Sequence, residues 1–145
     1  MNGRREETKY TLIVDDDEAL AAALVEALRQ HGMEAAMTAL GADALSIAEN
    51  TEPDVILIGD RMPGGNSFEV CRSLKNNPAT AHIPVIMLSH SRQLEDRLAG
   101  FLSGAQCYIC KPASIQEVVD KIDFFAEKNR PRKEPARPRN ARCVA

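Results

Sequence analysis

Residues 53–60, Pro-Asp-Val-Ile-Leu-Ile-Gly-Asp, decide the fold of this chain. A turn-forming Pro-Asp pair precedes four consecutive apolar residues, and the run stops at Gly59 and Asp60. An apolar run that does not alternate with polar residues is typical of a central parallel strand covered on both faces. The stretch therefore predicts a buried strand that ends at Gly59, with a loop after it.

Similar short apolar runs lie on both sides of this strand. They cover residues 12–14, 33–37, 84–88 and 107–110. Between them lie longer segments whose apolar residues recur every three or four positions, as in amphipathic helices. Five strands that alternate with five helices predict an α/β fold, a doubly wound parallel sheet with helices on both faces.

The ends of the predicted helices carry clear signals. Asp17 is the expected N-cap of the first helix, and Gly32 follows its end near residue 31. Residues 114–117, Ser-Ile-Gln-Glu, form a capping box at the start of the last helix. The three helices between these two are predicted over residues 42–50, 68–74 and 93–103.

Length and charge divide the chain into one domain and two tails. With 145 residues it has the size of a single domain, predicted over residues 9–127 after an N-terminal tail of residues 1–8. Residues 128–145 form a basic tail rich in Pro and Arg, without apolar periodicity, and this composition predicts disorder. The net charge of −3 does not favour nucleic acid as a partner.

The chain is expected to be cytoplasmic. It contains no apolar run of membrane-spanning length, and its charged N-terminus is unlike a secretory signal. Cysteines then stay reduced. Cys107 and Cys110 have the spacing of a CxxC pair, but residues three apart on a strand face opposite sides, so packing is predicted for both rather than metal binding.

Chemically active side chains follow three of the predicted strands. An acidic cluster, residues 15–17, follows the first strand, Ser89 ends the fourth and Lys111 follows the fifth. The carboxyl ends of parallel strands meet at one edge of the sheet, and a doubly wound sheet carries its site there. These residues are therefore expected to lie together.

Four motifs in this order resemble the receiver domain of bacterial response regulators. They are IVDDDE at residues 13–18, MPG at 62–64, PVIMLS at 84–89 and GAQCYICKP at 104–112. The resemblance covers residues 9–127 and implies a flavodoxin-like sheet with strand order 2-1-3-4-5. It also implies two-component phosphorelay signalling, in which an aspartate at the end of the third strand accepts a phosphoryl group from a histidine kinase with the help of Mg²⁺.

Most of the family's functional positions have a counterpart here. The resemblance assigns Asp15 and Asp16 to the acidic pair that binds the metal, and Ser89 and Lys111 to the groups that hold the phosphoryl oxygens. It assigns Tyr108 to the aromatic switch. We expect Lys111 to contact the acidic pair directly or through water, since it is the obvious counter-charge.

The acceptor aspartate itself is missing. In the family it lies four residues before the loop proline, and counting back from Pro63 gives Gly59. Counting forward from Pro53-Asp54 gives the same position. Glycine has no side chain to phosphorylate, so the sequence predicts a degenerate pseudo-receiver with no assigned catalytic residue. Such a domain requires no cofactor and binds Mg²⁺ weakly at most.

Asp60 is the one candidate for a substitute acceptor. Successive strand residues point to opposite faces, so a strand that continues through Asp60 would aim its carboxylate away from Lys111. A bulge or loop there would redirect it. The direction of this carboxylate therefore distinguishes the two hypotheses. His90, next to Ser89, either occludes the pocket, hydrogen-bonds inside it, or is an exposed loop residue.

The first functional hypothesis is an interaction module that acts independently of phosphorylation and is not an enzyme. Its expected binding face is the fourth helix, fifth strand and fifth helix, including Arg97, Phe101, Ser103, Tyr108 and residues 114–127. An adaptor contact and a homodimer both remain open. No DNA-binding domain is expected, because no second core follows Phe125.

Two other hypotheses remain open. One is an active receiver that phosphorylates itself on Asp60 with Mg²⁺, from a histidine kinase or a small phosphodonor. The other is a module that binds a small ligand in the space left by the missing aspartate.

Overall fold

The computed structural model describes residues 8–60, 62 and 66–129. Five parallel strands form one sheet in the order β2-β1-β3-β4-β5, which confirms the predicted doubly wound, flavodoxin-like fold. The strands are β1 Tyr10–Val14, β2 Glu34–Thr38, β3 Val55–Gly59, β4 Val85–Ser89 and β5 Cys107–Cys110. The helices are α1 Glu18–Gln30, α2 Gly41–Thr51, α3 Ser67–Asn76, α4 Leu94–Leu102 and α5 Ile115–Asn129.

Strand β3 divides its side chains between two cores. Val55 and Leu57 pack with α1 and α5 on one face of the sheet. Ile56 and Ile58 pack with α2 and α3 on the other face. Both faces are covered, so every position of the strand is apolar and buried. This explains why the deciding stretch is an unbroken apolar run rather than an alternating one.

The predicted helix caps are present. Asp17 accepts a hydrogen bond from Leu20 N at 3.1 Å, and Ser114 Oγ accepts one from Glu117 N at 3.0 Å. Gly32 adopts a φ of +79° after α1, the left-handed conformation that favours glycine. At the start of α1, Asp17 N also donates to Asp15 Oδ1 at 3.1 Å, which holds the Asp15 side chain in place after β1.

Several boundaries differ from the sequence predictions. Strand β2 covers residues 34–38 rather than 33–37, because Glu34 is the residue that pairs with Tyr10 of β1. Helix α5 extends to Asn129, two residues beyond the predicted end of the domain, and Asn129 Nδ2 donates to the carbonyl oxygen of Asp54. The predicted tails over residues 1–7 and 130–145 lie outside the described residues.

The two cysteines of β5 point to opposite faces, as predicted. Cys107 packs beside the α1/α5 core and Cys110 beside the α2/α3 core. Both carry free thiols, and so does Cys71. In the described part of the chain, no helix is both long and apolar enough to cross a membrane.

Candidate functional site

Four strands bring the predicted site residues together at the carboxyl edge of the sheet. Lys111 Nζ lies 3.6 Å from Asp15 Oδ2 and 3.4 Å from Asp60 Oδ1. The side chain of Lys111 is 8% exposed and that of Asp15 only 3%. The predicted contact between Lys111 and the acidic pair is confirmed at Asp15, and Asp16 lies beside it, half-buried.

The carboxylate of Asp60 points toward Lys111, one of the two directions that the sequence left open. Strand β3 ends at Gly59, so Asp60 lies in a bend where the alternation of side chains no longer applies. Ser67 Oγ donates to the carbonyl oxygen of Gly59 at 2.8 Å and fixes the end of the strand. The carboxylate of Asp60 therefore turns into the site.

Asp60 is held there by the loop that follows β4. Its Oδ2 accepts a short hydrogen bond of 2.8 Å from His90 N and a longer one of 3.4 Å from Ser89 Oγ. His90 Nδ1 lies 3.2 Å from the same oxygen, although the His90 side chain is 63% exposed. The His90 ring is therefore mainly exposed, and both its Nδ1 and the backbone N–H of His90 contact Asp60.

The space beside Gly59 is filled by Asp15. A Cβ atom added at Gly59 would lie 1.8 Å from Asp15 Oδ2 and 2.3 Å from Asp15 Cγ. The Asp15 carboxylate thus occupies the position where an acceptor side chain would begin. A cavity of about 360 Å³ lies beside this position and is lined by Gly59, Asp60, Ser89 and Tyr108 among others, so the hypothesis of a bound small ligand stays a prediction.

The two carboxylates that share Lys111 differ in acidity. Burial raises the pKa of Asp15, and this effect outweighs the opposing hydrogen bond from Asp17 N and the charge of Lys111. Burial also acts to raise the pKa of Asp60, but the His90 N–H and Lys111 outweigh it, so that pKa is lowered. Asp60 is accordingly the more strongly stabilised anion of the pair.

The described residues do not fit a firmly held Mg²⁺. This cation prefers octahedral coordination by oxygen. Gly59 offers no carboxylate, and Asp15 already contacts Lys111. Among the described residues, no three Asp, Glu, His or Cys side chains are grouped as metal ligands.

Tyr108 is packed inward on the other side of the loop after β4. Only 8% of the residue is exposed, and its hydroxyl donates to the Ser91 carbonyl oxygen at 3.0 Å. The Arg97 guanidinium lies 5.5 Å from the centroid of the ring. A Cβ atom at Gly100 would approach the ring to 3.1 Å, so the absence of a side chain there allows this close packing.

The residues predicted for a binding face differ in exposure, and Tyr108 is among the buried ones. Phe101 is 45% exposed on α4, together with three leucines of that helix: Leu94, Leu98 and Leu102. Ser103 does not belong to this surface. It is 3% exposed, and its hydroxyl donates to the Gly100 carbonyl oxygen at 2.7 Å. This hydrogen bond satisfies the buried hydroxyl in the turn after α4.

Comparison with known proteins agrees with this fold. Residues 11–123 match the response regulator receiver domain family, and the chain belongs to that family. A crystal structure of a putative response regulator from Chloroflexus aurantiacus is 30% identical, with a TM-score of 0.78 over 83% of this chain and 99% of that one.

Two curated relatives are longer than the chain. The DNA-binding response regulator MtrA of Mycolicibacterium paratuberculosis is 36% identical over 118 residues, 81% of this chain and 51% of MtrA. The response regulator PleD of Caulobacter vibrioides is 37% identical over 115 residues, 79% of this chain and 24% of PleD. This chain thus spans about half of MtrA and a quarter of PleD. It is a receiver domain of two-component signalling.

Proposed function

We propose that this receiver is a pseudo-receiver, a module that acts through protein–protein interaction without aspartyl phosphorylation. One observation carries the proposal: the Asp15 carboxylate fills the space where the side chain of an acceptor at position 59 would lie. A nucleophile cannot act from a position that has no side chain. We also propose that this chain requires no cofactor and binds Mg²⁺ weakly.

The contacts of Asp60 support the same proposal. A carboxylate that attacks phosphorus needs a free oxygen and nearby donors that can bind the incoming phosphoryl oxygens. Here Ser89 Oγ, His90 N and Lys111 Nζ all contact Asp60 itself. These donors would have to leave Asp60 before they could stabilise a phosphoryl group.

The second candidate is an active receiver that uses Asp60 as its acceptor. It is favoured by the direction of that carboxylate, whose Oδ1 lies 3.4 Å from Lys111 Nζ. In this reaction an Asp60 oxygen would bond to the phosphorus of a phosphohistidine or small phosphodonor. The bond from phosphorus to the donor would break, and its electron pair would leave with the donor.

Incubation of the native chain with acetyl phosphate and Mg²⁺ is expected to give no phosphoryl adduct, because position 59 lacks a nucleophile and Asp60 is already bound by the required donors. Intact-mass spectrometry measures this directly. A phosphorylatable receiver in the same mixture checks the reagent. An adduct on the native chain that is absent from Asp60→Asn would establish the second candidate and exclude the first.

We infer that partners bind the face formed by α4, β5 and α5. Leu94, Leu98 and Leu102 follow one another at four-residue spacing on α4 and are 66%, 51% and 86% exposed. Apolar side chains so exposed and so close together are typical of interaction surfaces. The occupant is either a second copy of this chain or a different protein.

Sedimentation equilibrium of the native chain and of Leu98→Glu distinguishes these occupants. A homodimer would show an average mass that rises with concentration, and the charged substitution would suppress the rise. Leu40→Glu is the matched control, because Leu40 is 47% exposed next to α2, at the opposite edge of the sheet. A monomer in every case would assign the face to a different protein.

A further inference from the structure

We propose that Asp60 is a built-in substitute for a phosphoryl group: its carboxylate fills the anion site of this receiver and thereby keeps Tyr108 buried. The inference rests on the proposed function, since in a receiver that is not phosphorylated some group other than a phosphoryl group must determine the position of Tyr108. It assigns to Asp60 a positioning role rather than that of a nucleophile.

Three donors converge on this carboxylate, two from consecutive residues at the end of β4 and one from the residue after β5. His90 N is a backbone donor at 2.8 Å, and Ser89 Oγ is a hydroxyl at 3.4 Å, both to Oδ2. Lys111 Nζ contacts Oδ1 at 3.4 Å. A backbone N–H, a hydroxyl and an ammonium group around one anion form a site that suits any small oxyanion. The side chain of Asp60 occupies this site from within the chain.

A series of hydrogen bonds links the site to Tyr108. His90 N and Ser89 Oγ fasten the start of the loop after β4 to Asp60. Ser89 Oγ in turn accepts from Ser91 N at 3.1 Å, and the Ser91 carbonyl oxygen accepts from the Tyr108 hydroxyl at 3.0 Å. The position of the carbonyl group that holds Tyr108 thus depends on a loop that Asp60 anchors.

Gly59 makes this arrangement possible. Because position 59 has no side chain, Asp15 occupies the adjacent space, and Lys111 contacts Asp15 and Asp60 together. Asp60 starts one residue beyond the end of β3, so its carboxylate reaches the loop after β4. The pair Gly59-Asp60 therefore replaces an acceptor and its phosphoryl group by one permanent anion.

The position of Tyr108 can be measured by ¹⁹F NMR after incorporation of 3-fluorotyrosine. The chain contains only two tyrosines, so Tyr10→Phe assigns both signals. A soluble gadolinium chelate broadens the signal of an exposed ring more than that of a buried one. In the native chain we expect the Tyr108 signal to be strongly protected, because the residue is 8% exposed.

The test compares Asp60→Ala with a control variant, Asp43→Ala, which removes an exposed carboxylate from the first turn of α2. We expect a severalfold increase in the broadening of the Tyr108 signal in Asp60→Ala and no change in the control. Asp60→Asn keeps the size of the side chain but removes its charge. It should give a smaller change in the same direction, and it preserves the test if the alanine variant folds poorly.

Chemical rescue then identifies the anion site. Inorganic phosphate or formate added to Asp60→Ala should bind the vacated donors and restore protection of Tyr108, whereas chloride at equal ionic strength should not. Adding Lys111→Met to Asp60→Ala should remove the rescue, because one of the three donors is lost.

Two results would overturn the inference. One is a Tyr108 signal that remains as protected in both Asp60 variants as in the native chain. The other is a Tyr108 signal that becomes exposed but responds equally to phosphate and chloride. Phosphorylation of native Asp60, measured by mass, would instead contradict the proposed function, so the two failures are distinguishable.

Discussion

Lys111→Met is expected to lower the free energy of unfolding by about 3 kcal/mol at neutral pH, because it removes the positive charge that two buried or half-buried carboxylates share. Lys111 and Asp15 are 8% and 3% exposed, so water cannot replace the lost contact at Asp15. Asp60, at 26% exposure, is affected less. Methionine keeps most of the lysine's length, so the change isolates the charge.

The loss should become smaller as the pH falls. The folded pKa of Asp15 is already raised by burial, and without Lys111 it rises further. A carboxyl group with a raised folded pKa destabilises the fold above that pKa and ceases to do so once it is protonated. The contribution of Asp60 has the opposite sign: its folded pKa is lowered, so its stabilisation of the native chain is lost only below its usual pKa.

Urea denaturation at neutral pH and at about pH 5 measures the effect. Lys121→Met is the control, because Lys121 is exposed on α5 and should change stability little. Combining Lys111→Met with Asp15→Asn should recover much of the loss. An equal loss at both pH values would show that packing of the lysine stem, rather than its charge, is what the site requires.

Gly59→Asp is expected to lower the free energy of unfolding by about 2–3 kcal/mol in the absence of divalent cations. Its Cβ atom would meet the Asp15 carboxylate at 1.8 Å, so Asp15 must leave its position beside Lys111. The new carboxylate then adds negative charge next to Asp15 and Asp60. Steric displacement and charge repulsion therefore act together.

Gly59→Ala separates these two effects, since it introduces the same Cβ atom without the charge. We expect a smaller loss than in Gly59→Asp, and we expect added Mg²⁺ to restore stability only in Gly59→Asp, where an extra carboxylate is available. Thermal unfolding with and without Mg²⁺ measures both. A Gly59→Ala variant as stable as the native chain would mean that Asp15 rotates away at no cost.

The sequence by itself determined the architecture, because hydrophobic periodicity is local and depends on burial. The unbroken run of residues 55–58 predicted a strand covered on both faces, and the two cores on either side of it confirm this. Asp17, Gly32 and Ser114 were predictable as caps because capping depends on neighbouring residues. Both flanking motifs place Gly59 at the family's acceptor position, and the lack of an acceptor there stays a prediction.

The tertiary structure alone decided how the site is arranged. The alternation of side chains holds only within a strand, so the direction of Asp60, one residue beyond β3, depends on the loop after β4. The strongest donor to Asp60 is the backbone N–H of His90, and a backbone donor leaves no mark in a sequence. Ser103 became buried for a similar reason, because its hydroxyl finds a carbonyl partner in the turn after α4. Asp15 fills the space at Gly59, and Lys111 contacts both Asp15 and Asp60. These residues follow different strands, so their contacts exist only in the folded chain.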